Sequence, residues 1–195
     1  MGRKRRLTSV QNGFDEWKKL ESQIKTFGLE IEDVKGDGNC CFRALSLHSD
    51  ISCETLRASI VNYIMENKDE FEPFTESNFE KYCINMSRDG TYGGNLELYA
   101  YAIKYKVVVV VHQLNAPLII IKDENPTAVG IIHVAYVSWQ HYSGIRVPPS
   151  TCNSKYCNLV GQCGTKKTHK YNSQTAIKKA LLHFLELSKC LAVMT

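Results

Sequence analysis

Apolar residues in the first half of the chain recur every three or four positions, which is the spacing of one face of an α-helix. Phe14, Trp17, Leu20 and Ile24 follow this spacing and predict a first helix that ends near Thr26. The same periodicity, together with candidate N-terminal caps, predicts four more helices, over Cys41–Leu47, Ser52–Met65, Thr75–Met86 and Asn95–Lys104.

The pattern changes after Lys104, where β-branched residues cluster in short apolar runs. These runs predict strands over 107–113, 118–122 and 131–138, and an alternation over 29–34 predicts one earlier strand. Because helices dominate the first half and strands the second, we expect an α/β or α+β domain in which helices cover a sheet. No apolar run approaches the ~20 residues that span a bilayer, so we expect no membrane segment.

Composition divides the chain into three segments. Residues 1–12 contain the basic run Gly2–Arg6 and predict a flexible tail, with a nuclear-import or RNA-contacting patch as the alternative. Residues 13–147 hold the periodic elements and predict one folded domain. Residues 148–195 predict a C-terminal extension, made of a Cys-containing linker and an amphipathic helix over Gln174–Met194.

The charge balance and the cysteines narrow the class of protein. The net charge is +4 and charged residues make up 23% of the chain, which is far from the charge of a dedicated nucleic-acid binder. Met1–Arg6 leads into polar sequence, so we expect no secretion signal. The eight cysteines are therefore expected to be thiols in a reducing cytosol or nucleus rather than disulfides.

One cysteine has the local sequence of a nucleophile. Cys40 lies where a loop of glycine, aspartate and asparagine meets a predicted helix. A thiol at a helix N-terminus is close to unpaired backbone N–H groups and to the positive end of the helix dipole, which lower its pKa. The N–H groups of Gly38, Asn39 and Cys40 are also suited to bind the oxyanion that forms on an attacked carbonyl.

A cysteine nucleophile needs a general base, and His141 is the best placed histidine in the sequence. It follows the predicted strand over 131–138, and the end of a rigid element is where a base is held in a fixed position. Structural roles are predicted for the thiols and imidazoles that lie inside regular elements: Cys41, Cys53, Cys83, His112 and His133.

Several segments resemble the signatures of the ovarian tumour (OTU) family of cysteine proteases. Asp37–Ala44 matches the first signature except at one position, where cysteine replaces leucine. Gly90–Leu98 is similar to the family's glycine-rich stretch that ends in Glu-Leu. His133–Tyr136, followed by His141 and Tyr142, resembles the second signature. The resemblance runs over about residues 15–147 in order.

The resemblance implies a papain-like OTU fold, in which helices flank a central, mostly antiparallel sheet. It implies a deubiquitinase that hydrolyses the isopeptide bond at the C-terminal glycine of ubiquitin, with Cys40 as nucleophile and His141 as base. Asp37 matches a further active-site residue, which either braces the loop or polarises the histidine; a plain helix cap is the alternative.

The same resemblance sets the expected partners. They are ubiquitin, polyubiquitin chains and ubiquitinated proteins, and no metal or cofactor is needed. We expect a monomer that binds neither membrane nor nucleic acid. Four residues are implied as substrate contacts: Gly93, Gly94, Trp139 and Tyr142. For the two glycines, an ordinary loop before the helix that starts at Asn95 is the alternative.

One position departs from the family pattern. Many OTU enzymes carry Asn or Asp two residues after the histidine, where the side chain orients the ring, but this chain has Ser143. A hydroxyl can accept an N–H bond, yet it brings no charge and orients the ring more weakly. The alternative function is therefore a catalytically weak, ubiquitin-binding module on the OTU fold.

Two features lie outside the resemblance. Four metal-ligand types occur in the C-terminal extension at spacings that miss the usual zinc pattern, so we expect no metal there and keep a zinc knuckle as the alternative. These residues are Cys152, Cys157, Cys163 and His169. Nucleic-acid binding through Arg3–Arg6 and Lys166–Lys170 is a third function class, supported by charge alone.

Overall fold

A computed structural model describes residues 9–75, 78–123, 128–138, 140–146 and 148 of the chain. Its helices are α1 Ser9–Lys25, α2 Cys40–Ser46, α3 Cys53–Glu66, α4 Lys68–Phe71, α5 Phe79–Met86 and α6 Asn95–Lys104, with a 3-10 turn over Glu72–Phe74. Its strands are β1 Glu30–Glu32, β2 Val107–His112, β3 Ile119–Ile121, β4 Gly130–Val137 and β5 His141–Arg146.

These strands form one sheet in the order β1-β5-β4-β2-β3. The pairs β1–β5, β4–β5 and β2–β3 are antiparallel, and β2–β4 is parallel. The predicted fold class, a mostly antiparallel sheet flanked by helices, is therefore confirmed. No helix in the described ranges combines the length and the apolar character needed to cross a bilayer.

Helices cover both faces of the sheet. Side chains of successive strand residues point to opposite faces, and the neighbours Val134 and Ala135 of β4 belong to different cores. The larger core joins α2, α3, α5 and α6 to the face of Val134. The smaller core lies on the other face, where α1 packs through Leu20 and Ile24.

Helix boundaries follow the predictions with two instructive differences. The Ser52 cap is confirmed, since its side chain accepts a hydrogen bond from the Thr55 N–H. The predicted Thr75 cap is wrong: Asn78 caps α5 by accepting from the Lys81 N–H at 3.0 Å. Thr75 instead follows the 3-10 turn and donates its hydroxyl proton to the carbonyl of Glu72, the first residue of that turn. The first helix begins at Ser9, five residues before the predicted start.

Strand β5 was not predicted from the sequence. Its residues include Ser143 and Gly144 and do not alternate apolar with polar side chains, so no strand pattern is visible. Yet β5 lies between β4 and β1 and pairs with both. His141 therefore opens an inner strand of the sheet, which gives it a more rigid support than the loop that follows a strand.

Two histidines of the sheet are expected to make the fold sensitive to acid. His112 and His133 are buried, and Nε2 of His112 lies 3.3 Å from Nδ1 of His133. Burial lowers the pKa of His112 to about 4, and burial and then the neighbouring imidazoles lower the pKa of His133 to about 3. Because the unfolded chain takes up these protons near pH 6.5, stability is complete above that pH and is lost as the pH falls toward 4.

Each unit of pKa difference corresponds to about 1.4 kcal/mol, so we expect the free energy of unfolding to fall by several kcal/mol across this window. Urea unfolding at pH 7.5, 6, 5 and 4.5 measures the effect. His112→Phe removes one of the protonation sites and should flatten the pH dependence. Equal slopes for the wild type and this variant would show that other groups drive acid unfolding.

Candidate active site

The predicted nucleophile and base are brought together. Cys40 is the first residue of α2, and its thiol lies next to His141 at the start of β5, close enough for the ring and the Tyr142 backbone N–H to lower the thiol pKa. The loop before Cys40 runs beside the same ring, since a Cβ added at Gly36 would lie 3.4 Å from Nδ1 of His141. Residues 101 positions apart in sequence are thus brought together, because α2 packs against β5 and His141 is the first residue of that strand.

The two groups shift each other's protonation in the direction that catalysis requires. Burial opposes ionisation of the Cys40 thiol, yet the hydrogen bonds from His141 and the Tyr142 N–H outweigh it, and the net pKa is lowered. The hydrogen bond to Cys40 raises the pKa of His141 against the opposing effect of burial, and a second bond to Asp33 raises it further. Both shifts favour a proton on the ring and a negative charge on the sulfur.

Asp33 contacts the side of the His141 ring that faces away from Cys40, and it was not among the site residues predicted from the sequence. Its Oδ1 lies 3.0 Å from Nε2 of His141 and accepts the Ser143 hydroxyl at 2.9 Å and the Val34 N–H at 2.8 Å. Ser143, which the sequence predicts as a weaker orienting group for the ring, makes its hydrogen bond to Asp33, to which its hydroxyl donates. With Nε2 directed at Asp33, Nδ1 is the nitrogen that remains for the Cys40 thiol.

Helix α1 supports the turn that leads into His141. Glu16 accepts a hydrogen bond of 2.9 Å from the hydroxyl of Ser138, a residue with a positive φ of 51°. The Trp17 ring lies beside the His141 ring, with 6.5 Å between their centroids. The helix thus fixes both the turn and one side of the imidazole.

Asp37 does not contact His141; it braces the loop before α2. Its Oδ2 accepts from Nη2 of Arg43 at 2.8 Å, and its Oδ1 accepts the Asn39 N–H at 3.2 Å. The hydrogen bond from Arg43 holds the pKa of Asp37 well below its usual range. Of the two active-site roles that the sequence left open for Asp37, these bonds support the bracing one.

The same bond changes the predicted oxyanion hole. The Asn39 N–H is already engaged by Asp37, so it is not available to a developing oxyanion. Gly38 and Cys40 remain the predicted backbone donors. Gly38 has a φ of 80°, and a Cβ there would collide with the carbonyl oxygen of Gly90, so only glycine fits this close approach of two loops.

With this geometry in hand, comparison with known proteins identifies the family. Residues 35–147 match the family model described as OTU-like cysteine protease. The chain belongs to the OTU family. A solved structure of the OTU domain of OTUD1 superposes with a TM-score of 0.60 at 22% identity, covering 71% of this chain and 99% of that one, which shows the shared fold.

Two curated OTU relatives are similar over most of the chain. OTU domain-containing protein 3 of Mus musculus is 36% identical over 138 residues, which cover 68% of this chain and 35% of the relative. OVARIAN TUMOR DOMAIN-containing deubiquitinating enzyme 7 of Arabidopsis thaliana is 34% identical over 152 residues, which cover 75% of this chain and 40% of the relative. The chain therefore spans less than half the length of either relative.

The glycine-rich OTU stretch packs against the helix of the nucleophile. A Cβ added at Gly93 would come within 2.9 Å of the Phe42 ring, so packing inside the domain already requires glycine there. The Gly94 N–H donates to Oε2 of buried Glu97 at 2.6 Å, and the Tyr82 hydroxyl donates to the other oxygen. Burial raises the pKa of Glu97, and these bonds partly offset that effect. The role of Gly93 and Gly94 in substrate binding stays a prediction.

Of the other two predicted substrate contacts of the OTU domain, Tyr142 lies among the described residues and Trp139 does not. Tyr142 is 5% exposed and packs in the larger core against Tyr136, with 4.5 Å between the ring centroids. This placement favours a packing role for its side chain, while its backbone N–H helps to lower the pKa of the Cys40 thiol. Trp139 lies outside the described residues, and so does the Cys/His set of the C-terminal extension.

The other three thiols of the described residues lie in the core, as the sequence predicted. Cys41, Cys53 and Cys83 are buried in the larger core. Burial raises the pKa of each, so they stay protonated where Cys40 ionises. Within the described ranges of the OTU domain, no group of three or more His, Cys, Asp or Glu side chains is arranged to hold a metal ion.

One buried charge near the OTU loops was also missed. Arg57 of α3 donates to Oδ1 of Asn39 at 2.6 Å, to the Thr91 carbonyl at 2.8 Å and to the Gly38 carbonyl at 3.3 Å. It therefore joins the loop before Cys40 to the loop after Gly90.

Proposed function

We propose that this chain is a deubiquitinase that hydrolyses the bond at the C-terminal glycine of ubiquitin. The proposal rests above all on the placement of His141 beside Cys40, an arrangement that lowers the pKa of the thiol and raises the pKa of the imidazole. An activated thiolate next to a protonated imidazole is the chemistry of cysteine proteases. Family membership and the similarity to a deubiquitinating enzyme of Arabidopsis thaliana add support for ubiquitin as the modifier.

The steps follow from the two groups. The Cys40 thiolate attacks the carbonyl carbon of the terminal glycine, and the oxyanion that forms lies near the Gly38 and Cys40 N–H groups. The carbon–nitrogen bond then breaks, and His141 gives its proton to the leaving lysine amine. Water loses a proton to His141 as it attacks the thioester, the carbon–sulfur bond breaks, and the thiolate re-forms beside the imidazolium. No step in this sequence calls for a metal or cofactor.

The narrow surroundings of the sulfur also suit this substrate. Cys40 is only 1% exposed, and the backbone before it runs close to the His141 ring. A chain end without side chains reaches such a sulfur more easily than a bulky residue does, and glycine has none. We further propose a reducing compartment, the cytosol or nucleus, because Cys40, Cys41, Cys53 and Cys83 are free thiols.

A ubiquitin probe with a C-terminal electrophile tests the function. We expect one covalent adduct, and peptide mass spectrometry should place it on Cys40 rather than on Cys41, whose thiol is not activated. Cys41→Ala serves as the matched control and should still be labelled. Binding of ubiquitin without labelling would support the binding-module alternative, and reaction with only a different ubiquitin-like probe would change the proposed modifier.

A further inference from the structure

The carboxylate that holds the base lies outside the segment that defines the family. The family match begins at residue 35, and Asp33 precedes it by two residues. Within residues 35–147 the signature carboxylate Asp37 is committed to Arg43 and to the Asn39 N–H. The acceptor at Nε2 of His141 therefore comes from the residue that directly follows β1, ahead of the signature.

The register of the sheet explains why Asp33 reaches this position. β1 pairs antiparallel with β5, with Ile31 opposite Ile145 and Glu32 opposite Gly144. Asp33, the first residue after β1, thus falls level with Ser143. His141 and Ser143 are two residues apart on β5, so their side chains leave the same face of the strand and reach one carboxylate together.

The hydrogen bonds link the three residues in series: Ser143 holds Asp33, and Asp33 holds His141. Ser143 is fully buried, and its hydroxyl proton is donated to Oδ1 of Asp33. A buried hydroxyl holds such a partner firmly, because its proton would otherwise lack an acceptor. The Val34 N–H donates to the same oxygen. Two fixed donors therefore hold one oxygen in place, and that oxygen faces Nε2 of His141.

We propose that Asp33 is the positioning residue for His141, and that Ser143 acts through Asp33 as its anchor. This inference rests on the proposed thiol-dependent hydrolysis. The ring-orienting Asn or Asp that many OTU enzymes carry two residues after the histidine is replaced here by a carboxylate that directly follows β1, and the small hydroxyl of Ser143 leaves room for it. The side chain of Asp33 is 63% exposed, so the alternative is a surface ion pair without effect on the reaction.

Variants that move the carboxylate from position 33 to position 143 distinguish a positioning role for Asp33 from a surface ion pair without effect. Asp33→Ala should lower kcat about 10- to 100-fold with little change in KM, since orientation of the base affects the chemical step and not ubiquitin binding. Ser143→Asp alone should also be impaired, because it sets two carboxylates side by side. The double variant D33A/S143D has one carboxylate again, with space for it, and should recover most of the lost rate.

A second readout does not depend on ubiquitin. The rate at which iodoacetamide alkylates Cys40 reports the thiolate fraction, and its pH midpoint should rise in D33A and return toward the wild-type value in the double variant. Asp33→Asn keeps the shape and an acceptor oxygen but loses the charge, so it should show a smaller shift in the same direction. Glu30→Gln, at an exposed carboxylate of β1, is the matched control and should leave both readouts unchanged.

The outcomes are distinct. A wild-type pH midpoint and kcat in both D33A and D33N would overturn the inference, as would a double variant no better than the single ones when its thermal melting matches that of the wild type. If D33A melts early, D33N decides. If the alkylation cycle behaves as expected but the wild type cleaves no ubiquitin conjugate, the positioning role stands and the proposed function fails.

Discussion

Replacing Cys40 with alanine is expected to reduce the cleavage of a ubiquitin conjugate by about 10⁴-fold or more in kcat/KM, while ubiquitin still binds. The thiolate is the atom that forms the bond, and the other described thiols are buried with raised pKa values, so none can replace it. Cleavage of a panel of diubiquitin linkages, with binding followed by calorimetry, measures both parts of the prediction.

Removing the base should cost nearly as much and leave a different signature. His141→Ala is expected to lower kcat/KM by about 10³- to 10⁴-fold, and the double variant C40A/H141A should be no slower than C40A alone, because the two groups act as a unit. In His141→Ala the thiol also loses the hydrogen bond that lowers its pKa, so the alkylation midpoint of Cys40 should move to higher pH.

The control for both variants is Cys83→Ala, which changes a buried thiol of α5 far along the chain from the reacting pair. It should retain activity after a modest loss of stability. Residual cleavage by Cys40→Ala would show that another residue is the nucleophile. Activity lost equally in Cys83→Ala would trace the effect to stability and not to chemistry.

The pair at the centre of the site could be predicted from sequence because its signal is local. A glycine loop before a helix marks Cys40, and His141 stands in a short recognisable segment at the end of a predicted strand. The pKa directions in the folded protein agree with the chemistry that these surroundings imply. The precise hydrogen-bond partner of Asp37 could not be foreseen, since it depends on how the helix turns Arg43 back toward the loop.

Asp33 could not be found in this way, because its role depends on a register between distant strands. Asp33 and His141 are 108 residues apart, and no β5 was predicted to pair with β1. A shift of one residue in that pairing would turn the side chains of the strand to the other face and break the contact. The information lies in the sheet, and the sequence pattern does not carry it.

The position of Arg57 in the sequence of α3 indicates that this arginine is buried. The buried positions of α3 recur at helical spacing, and the arginine falls on this apolar stripe and not on the exposed face. An arginine in an apolar stripe is rarely buried without partners, so its position predicts a polar network inside the fold. The structure contains such a network, in which the acceptors belong to the two loops and to the end of α5.

Replacing Arg57 with methionine is expected to lower the free energy of unfolding by about 3–5 kcal/mol, because the buried acceptors lose their donors at once. Arg57 is 4% exposed, and its guanidinium donates to the Met86 carbonyl at 2.9 Å and stacks over the Phe42 ring at 4.1 Å. Methionine fills a similar length but donates no hydrogen bond. The melting temperature should fall by about 10 °C or more, measured by calorimetry.

Activity should fall as well at temperatures where the variant is folded. Arg57 holds the Gly38 carbonyl, and Oδ1 of Asn39 accepts from both Arg57 and the Gly90 N–H, so one side chain fixes the two loops that meet beside Cys40. Arg57→Lys keeps the charge, but a single ammonium cannot match the fork that serves both loops, so its loss should be intermediate. Arg88→Met, an exposed position next to the same loop, is the control. If Arg57→Met melts with the wild type yet loses activity, the network serves the loops and not the fold; if it loses neither, the two loops are held by their own backbone contacts.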